Sequence, residues 1–451
     1  MSQNTVVKNQ ITEGVIWKQL LIFFFPIMVG TLFQQLYNTV DAVIVGRFVG
    51  KEALASVGGS ASVIVNLVIG FFTGLSSGAT VIISQFYGAR DTKNLHTSLH
   101  TAFALSIAMS LVFSVIGWIC TPFLLEITKT PADVMPSSLT YLRIYFLGII
   151  AVQIFNMGSA IMRAIGDSKR PLYYLIVSCF VNIVLDIVFV VVFEAGVAGV
   201  AIATVIAQII SALLVCWSLM HAYDDLKLIP KEIRFDINKL KAEFRIGLPS
   251  AIQSCVYSIS NIVIQTAIND LGTDTVAAWA AYGKLDALFW TINGAFGIAI
   301  TTFAGQNYGA GKKDRVFKSV RTCLLMSSGV GAFLIITLML FCRPLYGFFT
   351  SDQNVIDIGV YMLMKIMPSY FLFIFIEIYT GALRGIGDVL IPTLITLSGV
   401  GLVRLPWILI MSPIYNHVDI PLYSYPISWG ITAALIIPYY YYRKKKISQK
   451  N

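Results

Sequence analysis

Long apolar runs separated by short polar connections fill the chain from residue 16 to residue 442. A helix needs about 18 or more consecutive, mostly apolar residues to cross a bilayer. The sequence holds about twelve such runs: 16–46, 53–83, 95–120, 137–163, 171–193, 197–221, 244–268, 275–305, 316–342, 355–384, 392–413 and 421–442. Backbone groups in lipid must bond within their own segment, so each run is predicted to be a helix. The polar start MSQNTVVKNQITEG lacks a small-residue cleavage site, and the first run reads as a retained span. The longest connection, DDLKLIPKEIRFDINKLKAEFR, lies between the sixth and seventh runs. It divides the chain into an N-lobe at 1–222, a cytoplasmic linker at 223–243 and a C-lobe at 244–451, which ends in a basic tail.

Composition agrees with the pattern. Of 451 residues, 57% are hydrophobic and 12% charged, against about 25% charged in a soluble domain. Such a chain cannot cover a water-facing surface and reads as an all-α polytopic membrane protein. The net charge of +9 is topological. Only Arg47, Lys51, Lys129 and Arg343 fall in odd-numbered connections, while the even-numbered ones and both termini are basic. The positive-inside rule then places both termini in the cytoplasm of a multi-pass protein of the cell inner membrane, and a nucleic-acid partner is excluded. The six cysteines lie in or beside apolar runs without a CxxC, so neither disulfides nor a metal cluster is expected.

The chain repeats itself. QFYGARDTKN begins at Gln85 and QNYGAGKKDR at Gln306; MRAIGDSKRP begins at Met162 and LRGIGDVLIP at Leu383. Both pairs share one offset of 221 residues, which marks two homologous halves. Six spans per half make the repeats parallel, related by an axis along the membrane normal. Two parallel six-helix repeats around a central cavity suit alternating access better than a channel, which is more often assembled from identical subunits.

Charged residues inside the runs narrow the function. Asp41, Asp186, Lys284, Asp286, Lys365, Glu377 and Arg404 lie at membrane depth, where an unpaired charge costs about 3 kcal/mol on insertion scales. Asn182 and Asp186 are four apart and share a helix face. Gln34, Tyr37, Asn38 and Asp41 form a stripe on the first span, and Thr204, Gln208 and Ser211 another on the sixth. Two carboxylates at matched depth, with amide and hydroxyl oxygens, suit a hard monovalent cation. They suit a shared proton equally. The bland alternative is a satisfied network of hydrogen bonds between helices. Candidate substrate-cavity residues are Gln34, Tyr37, Asn38, Asn156, Gln208, Lys284, Asp286 and Arg404. Lys284 with Asp286, and Arg404 with Glu377, can alternatively neutralise one another as structural pairs. Trp290 and the run Phe23, Phe24, Phe25 are aromatic candidates for lining a cavity, with lipid contact as their ordinary role.

Three features together resemble the bacterial multidrug and toxic compound extrusion (MATE) family of cation-driven antiporters. They are DAVIVGRFVGKEALASVG from Asp41, the paired YGA loops, and the paired RAIGD and RGIGD motifs. The resemblance spans all twelve runs. It implies an N-lobe cation site, for sodium or a proton, at Asp41, Asn182, Asp186 and Thr204, and a bend in the first helix at Pro26. It also implies small organic, often cationic substrates, no cofactor beyond the transported ion, and no obligate protein partner. The second half departs from the first: the offset carries Asn182 to Val403 and Asp186 to Trp407, with Arg404 alongside. That departure points to an asymmetric cavity and keeps open a narrower zwitterionic or anionic substrate. A lipid-linked saccharide flippase is a further alternative, against which the Asn182/Asp186 pair argues. An intramembrane enzyme would need a Ser/Lys pair, a GxGD motif or metal-binding histidines. RAIGD and RGIGD lack the first glycine of GxGD, and His96 and His100 show no third ligand in sequence.

Overall fold

Each apolar run forms a helix. The computed structural model describes residues 10–223 and 226–449; residues 1–9, linker residues 224–225 and residues 450–451 lie outside the described part. Among the described residues, twelve helices are long and apolar enough to cross a membrane. The first six are α1 Ile16–Val49, α2 Lys51–Ala89, α3 Thr92–Ile127, α4 Met135–Ala164, α5 Lys169–Val192 and α6 Gly196–His221. The second six are α7 Ile237–Asn269, α8 Thr273–Gly309, α9 Lys313–Leu340, α10 Gln353–Gly385, α11 Leu390–Tyr415 and α12 Asp419–Ser448. Among the described residues there is no strand.

The helices outrun the hydropathy windows where an amphipathic turn extends them. α7 begins at Ile237 because Asp236 caps it, its carboxylate accepting the backbone N–H of Asn238 and Lys239, both at 3.0 Å. Leu240 and Phe244 of that charged opening pack against Leu75, Leu105 and Ala251.

The chain forms two compact units. One holds Phe25–Ala251, the other Met1–Phe24 with Ile252–Asn451; they are called the N-unit and C-unit below. The sequence boundaries follow the apolar runs, whereas the spatial ones cut α1 and α7. Packing explains the cut in α1: Phe24 stacks on Phe296 at 4.1 Å and Phe23 meets the edge of Phe303 at 6.0 Å. A one-turn helix at Gln10–Glu13 joins the same unit. Arg315 donates to the carbonyls of Ile11 and Gly14, and Lys312 to that of Thr12 at 3.0 Å. Within the N-unit α4 is central, against α2, α3 and α6; within the C-unit α8 and α10 are its counterparts.

The repeated motifs are helix ends. In RAIGD the chain leaves α4 through Gly166 at φ +97°, and Asp167 N–H bonds back to the Met162 carbonyl at 2.9 Å. In RGIGD, Gly387 at φ +86° does the same for α10, with Asp388 N–H on Leu383 at 2.9 Å. This closure needs a left-handed residue, which glycine adopts without a Cβ penalty. Each aspartate then ties down a neighbouring helix. Asp167 accepts the Tyr223 hydroxyl at 2.7 Å and pairs with Arg170 at 3.3 Å. Asp388 accepts the Tyr439 hydroxyl at 2.7 Å and pairs with Arg443 at 2.5 Å. Burial and the adjacent Asp167 carboxylate push the Tyr223 hydroxyl well above its usual range, so it stays a donor.

The histidine pair acquires its third group from the linker, since His96, His100 and Glu232 bring ligand atoms within 4.8 Å of one another. His100 nevertheless uses both ring nitrogens: Nδ1 lies 2.8 Å from the His96 carbonyl, and Nε2 accepts the Ile229 N–H at 3.0 Å. The group therefore latches the linker to α3, helped by Asp236 N–H donating to Thr101 Oγ1 at 3.2 Å.

Candidate functional site

Two clusters of polar groups lie inside the helices, one in each unit. In the N-unit, Asp41 lies four residues before a π-helical stretch at Val45–Val49, and Asp186 immediately precedes another at Ile187–Val192. A π turn adds one residue to the winding and is frequent at functional positions. The two π stretches touch each other, and the Asp41 and Asp186 carboxyls lie within interaction range of one another. Asn182 stands one helical turn before Asp186. Ser178, one turn earlier still, donates to the Ala207 carbonyl at 2.8 Å and fixes α5 to α6.

The polar groups gathered here are under-bonded. Asp41, Asn182, Asp186, Thr204 and Gln208 are all buried, with Asp186 0% exposed. Six of their atoms take no hydrogen-bond partner among the described residues: Asp41 Oδ1, both side-chain polar atoms of Asn182, both oxygens of Asp186, and Gln208 Oε1. Each unsatisfied buried polar atom costs about 1–3 kcal/mol, and charged ones cost more. Native interiors rarely leave several together. Thr204 donates its hydroxyl to the Val200 carbonyl at 3.0 Å, which leaves its oxygen lone pairs facing the cavity. The space beside these groups is about 10 Å³, room for roughly one water or one bare monovalent ion. Tyr37, Cys179, Asn182, Thr204 and Gln208 line it. Tyr141 stands beside both carboxylates.

The remaining N-unit candidates stand around this pocket or away from it. Gln34 and Tyr37 are half-buried on α1, Asn38 is exposed on it, and Asn156 is half-buried on α4. Pro26 sits inside α1, two residues beyond the point at which the helix passes from the C-unit to the N-unit.

The C-unit cluster is built differently. Asp286 on α8 accepts the Trp290 indole N–H at 2.7 Å and the Tyr370 hydroxyl; Tyr370 shares a second hydrogen bond of 2.5 Å with Tyr282. Arg404 on α11 is 2% exposed. Its Nε and Nη2 both donate to Ser428 Oγ, at 3.1 and 2.8 Å. Its guanidinium lies 4.4 Å from the Tyr425 ring centre and 5.4 Å from that of Trp429. Neither structural pair anticipated from sequence forms. Lys284 is exposed, two residues and half a turn from Asp286, and makes no ion pair among the described residues. Glu377 is pressed against Gly297 and faces Arg384 rather than Arg404. Lys365 is also solved locally: its ammonium takes the Tyr423 hydroxyl at 3.0 Å and lies over the Tyr361 ring.

Sequence reasoning missed Tyr141, Tyr282, Tyr370 and Ser428. A tyrosine in a membrane helix reads first as an interfacial anchor, and the one usable signal was spacing, as with Ser178 four residues before Asn182.

Comparison with known proteins follows the same outline. The MatE family model matches residues 26–188 and 249–410. The "Probable multidrug resistance protein YoeA" of Bacillus subtilis (strain 168) is 28% identical, covering 99% of both chains. The "Probable multidrug resistance protein NorM" of Thermotoga maritima is 26% identical over 91% of this chain and 88% of its own. A solved structure described as the outward-facing conformation of a multidrug resistance MATE family transporter of the MOP superfamily superposes with a TM-score of 0.90. It does so at 20% identity, covering 99% of each chain.

Proposed function

This chain belongs to the MatE family of membrane transporters, and from that premise we propose that it is a secondary antiporter that exports small organic molecules in exchange for sodium or protons. The observation that carries the exchange is the N-unit pocket. Asn182, Thr204 and Gln208 line a space of about 10 Å³, the Asp41 and Asp186 carboxyls interact with each other beside them, and six polar atoms of Asp41, Asn182, Asp186 and Gln208 are unsatisfied among the described residues. A monovalent cation would accept from Asp41, Asp186, Asn182 Oδ1 and Thr204 Oγ1 together. A proton would instead bridge the two carboxyls. Either occupant would satisfy these atoms and would therefore favour the conformation that brings them together.

The names of the curated relatives support multidrug substrates. The basic even-numbered connections support cytoplasmic termini in the cell inner membrane. The internal repeat supports rocking-type alternating access, with Pro26 as the hinge in α1. Binding of the ion shifts the conformational equilibrium only by its difference in affinity between the two states, so substrate and ion must favour opposite ones.

The test uses purified protein in liposomes loaded with a fluorescent organic cation, with sodium and pH gradients imposed separately. One gradient is expected to drive efflux, and Asp186→Asn to abolish it while leaving the protein folded. Full efflux by Asp186→Asn would remove this pocket from the mechanism.

A further inference from the structure

Arg404 poses a problem that its protein neighbours do not solve. A guanidinium at membrane depth is normally paired, and one left buried without a counter-ion costs several kcal/mol. Among the described residues no carboxylate pairs with Arg404. Ser428 is its sole hydrogen-bond partner there, which leaves three of the five N–H groups of the fork unclaimed. Asp286 presents the complementary problem. Its carboxylate is held by two neutral donors, Trp290 and Tyr370, and by no cation.

A continuous aromatic wall joins the two charges. Trp429 meets Tyr425 at 5.1 Å, Tyr370 at 5.4 Å and Trp290 at 6.2 Å between ring centres. Tyr425 carries Arg404 on its face, while Tyr370 and Trp290 hold Asp286. The wall has a sealed back, where Phe289, Tyr370 and Trp429 are buried, and an open front. Trp279, Asp286, Trp290 and Tyr425 at that front are only half-buried.

We propose that this C-unit cluster is a substrate subsite for aromatic molecules bearing a carboxylate, and in particular for aromatic zwitterions. The carboxylate docks on the unclaimed fork of Arg404, the ring lies against Tyr425 and Trp290, and an ammonium reaches Asp286. A guanidinium binds a carboxylate bidentately, which a lysine cannot do, and flat rings add stacking energy without directional demands. A simple dication is disfavoured, because one of its charges would face Arg404. The proposal rests on the exporter reading above and narrows its substrate class.

Three indoles with one ring and three charge patterns test it: tryptophan, tryptamine and indole-3-propionate. Each is added as a competitor to dye efflux from proteoliposomes containing wild type, Arg404→Gln or Asp286→Asn. In wild type, tryptophan is expected to compete best, through both charges, with indole-3-propionate and tryptamine each competing more weakly through one. Arg404→Gln should weaken tryptophan and indole-3-propionate by about tenfold or more and leave tryptamine unchanged. Asp286→Asn should weaken tryptophan and tryptamine but spare indole-3-propionate, which keeps the proposal testable should Arg404→Gln not fold. Equal competition by all three indoles in wild type and Arg404→Gln overturns the subsite, as does an equal loss for all three. A wild type that exports no dye under either gradient instead overturns the exporter reading. Calorimetric titration of the same three indoles into purified wild type, Arg404→Gln and Asp286→Asn then still reads the subsite directly.

Discussion

The N-unit pocket and the C-unit cluster occupy related places in two copies of one ancestral half, yet one gathers two acids with amide and hydroxyl groups and the other a base and an acid on a wall of rings. Away from these sites the copies agree closely. α4 ends at Ala164 and α10 at Gly385, and α5 and α11 begin at Lys169 and Leu390, each pair separated by the sequence offset of 221. Gly166 and Gly387 take the same left-handed turn, and Asp167 and Asp388 each take a tyrosine and an arginine as partners, though from different positions of the repeat. Backbone closure tolerates few residues, so both copies keep it. The polar interior answers to whatever each half binds, and there they have parted. On this reading only the N-unit holds the exchanged ion, and the fixed charge of Arg404 stands in the C-unit where the other half leaves room for a mobile one.

The largest effect that would break this asymmetry is at Asp186. A sodium or pH jump should raise the thermal midpoint of the purified wild type, since an ion at about 100 times its Kd contributes about 2.7 kcal/mol. Asp186→Asn should lose that response and melt no lower than the ion-free wild type, because it removes an uncompensated buried carboxyl. Persistence of the full ion response in Asp186→Asn would show that the ion binds elsewhere, the C-unit included.

Next come the shared aspartates. Asp388→Ala should cost about 2 kcal/mol and Asp167→Ala about 1 kcal/mol. The Asp388 pair is the better buried: its side chains are 12% and 28% exposed with Arg443, against 22% and 40% for Asp167 with Arg170. Denaturation in detergent, followed by tryptophan fluorescence, ranks the two, and the reverse ranking would show that the motifs are not equivalent anchors. A smaller effect is expected at Thr204→Val. It removes one ligand oxygen and leaves both carboxylates in place, so ion affinity should fall by about tenfold or less, measured by the shift in half-saturating ion concentration for efflux.

The sequence revealed these two regions unequally for physical reasons. Asp41, Asn182, Asp186, Thr204 and Gln208 stood out because polar side chains in apolar runs are rare and theirs recur at helical spacing. The twelve helices were visible through the same contrast. Of the C-unit wall only Trp290 stood out as a candidate, since Tyr282 and Tyr370 are as ordinary in a membrane helix at its lipid face as at an interior one. Phe23, Phe24 and Phe25 show the limit: the first two are buried against Phe303 and Phe296, the third is 59% exposed, and their letters are identical. The division of α1 between units was equally hidden, because hydropathy records how apolar a segment is and not what it packs against.

The smallest expected effect comes from a place where the repeats differ without either site being involved. Asp91 caps α3, its carboxylate accepting the Asn94 N–H at 3.1 Å and the Asn94 side-chain amide at 2.6 Å. The offset places Lys312 at the start of α9, where no side chain caps the helix and the ammonium instead holds the Thr12 carbonyl. The hydrogen bonds from Asn94 keep the Asp91 carboxyl below its ordinary range. A group lowered on folding stabilises the fold above its unfolded value, about 3.9 for aspartate, and that contribution disappears as acid protonates it. Asp91→Ala should therefore melt slightly below wild type at neutral pH, with the two curves converging below about pH 4. The site is fully solvated, so the difference should be small, and Asn94→Ala should reproduce most of it. A gap between wild type and Asp91→Ala that stays constant into acid would mean that the charge of Asp91 does not hold the cap. The first turn of α3 would then be held, like that of α9, without a side-chain cap.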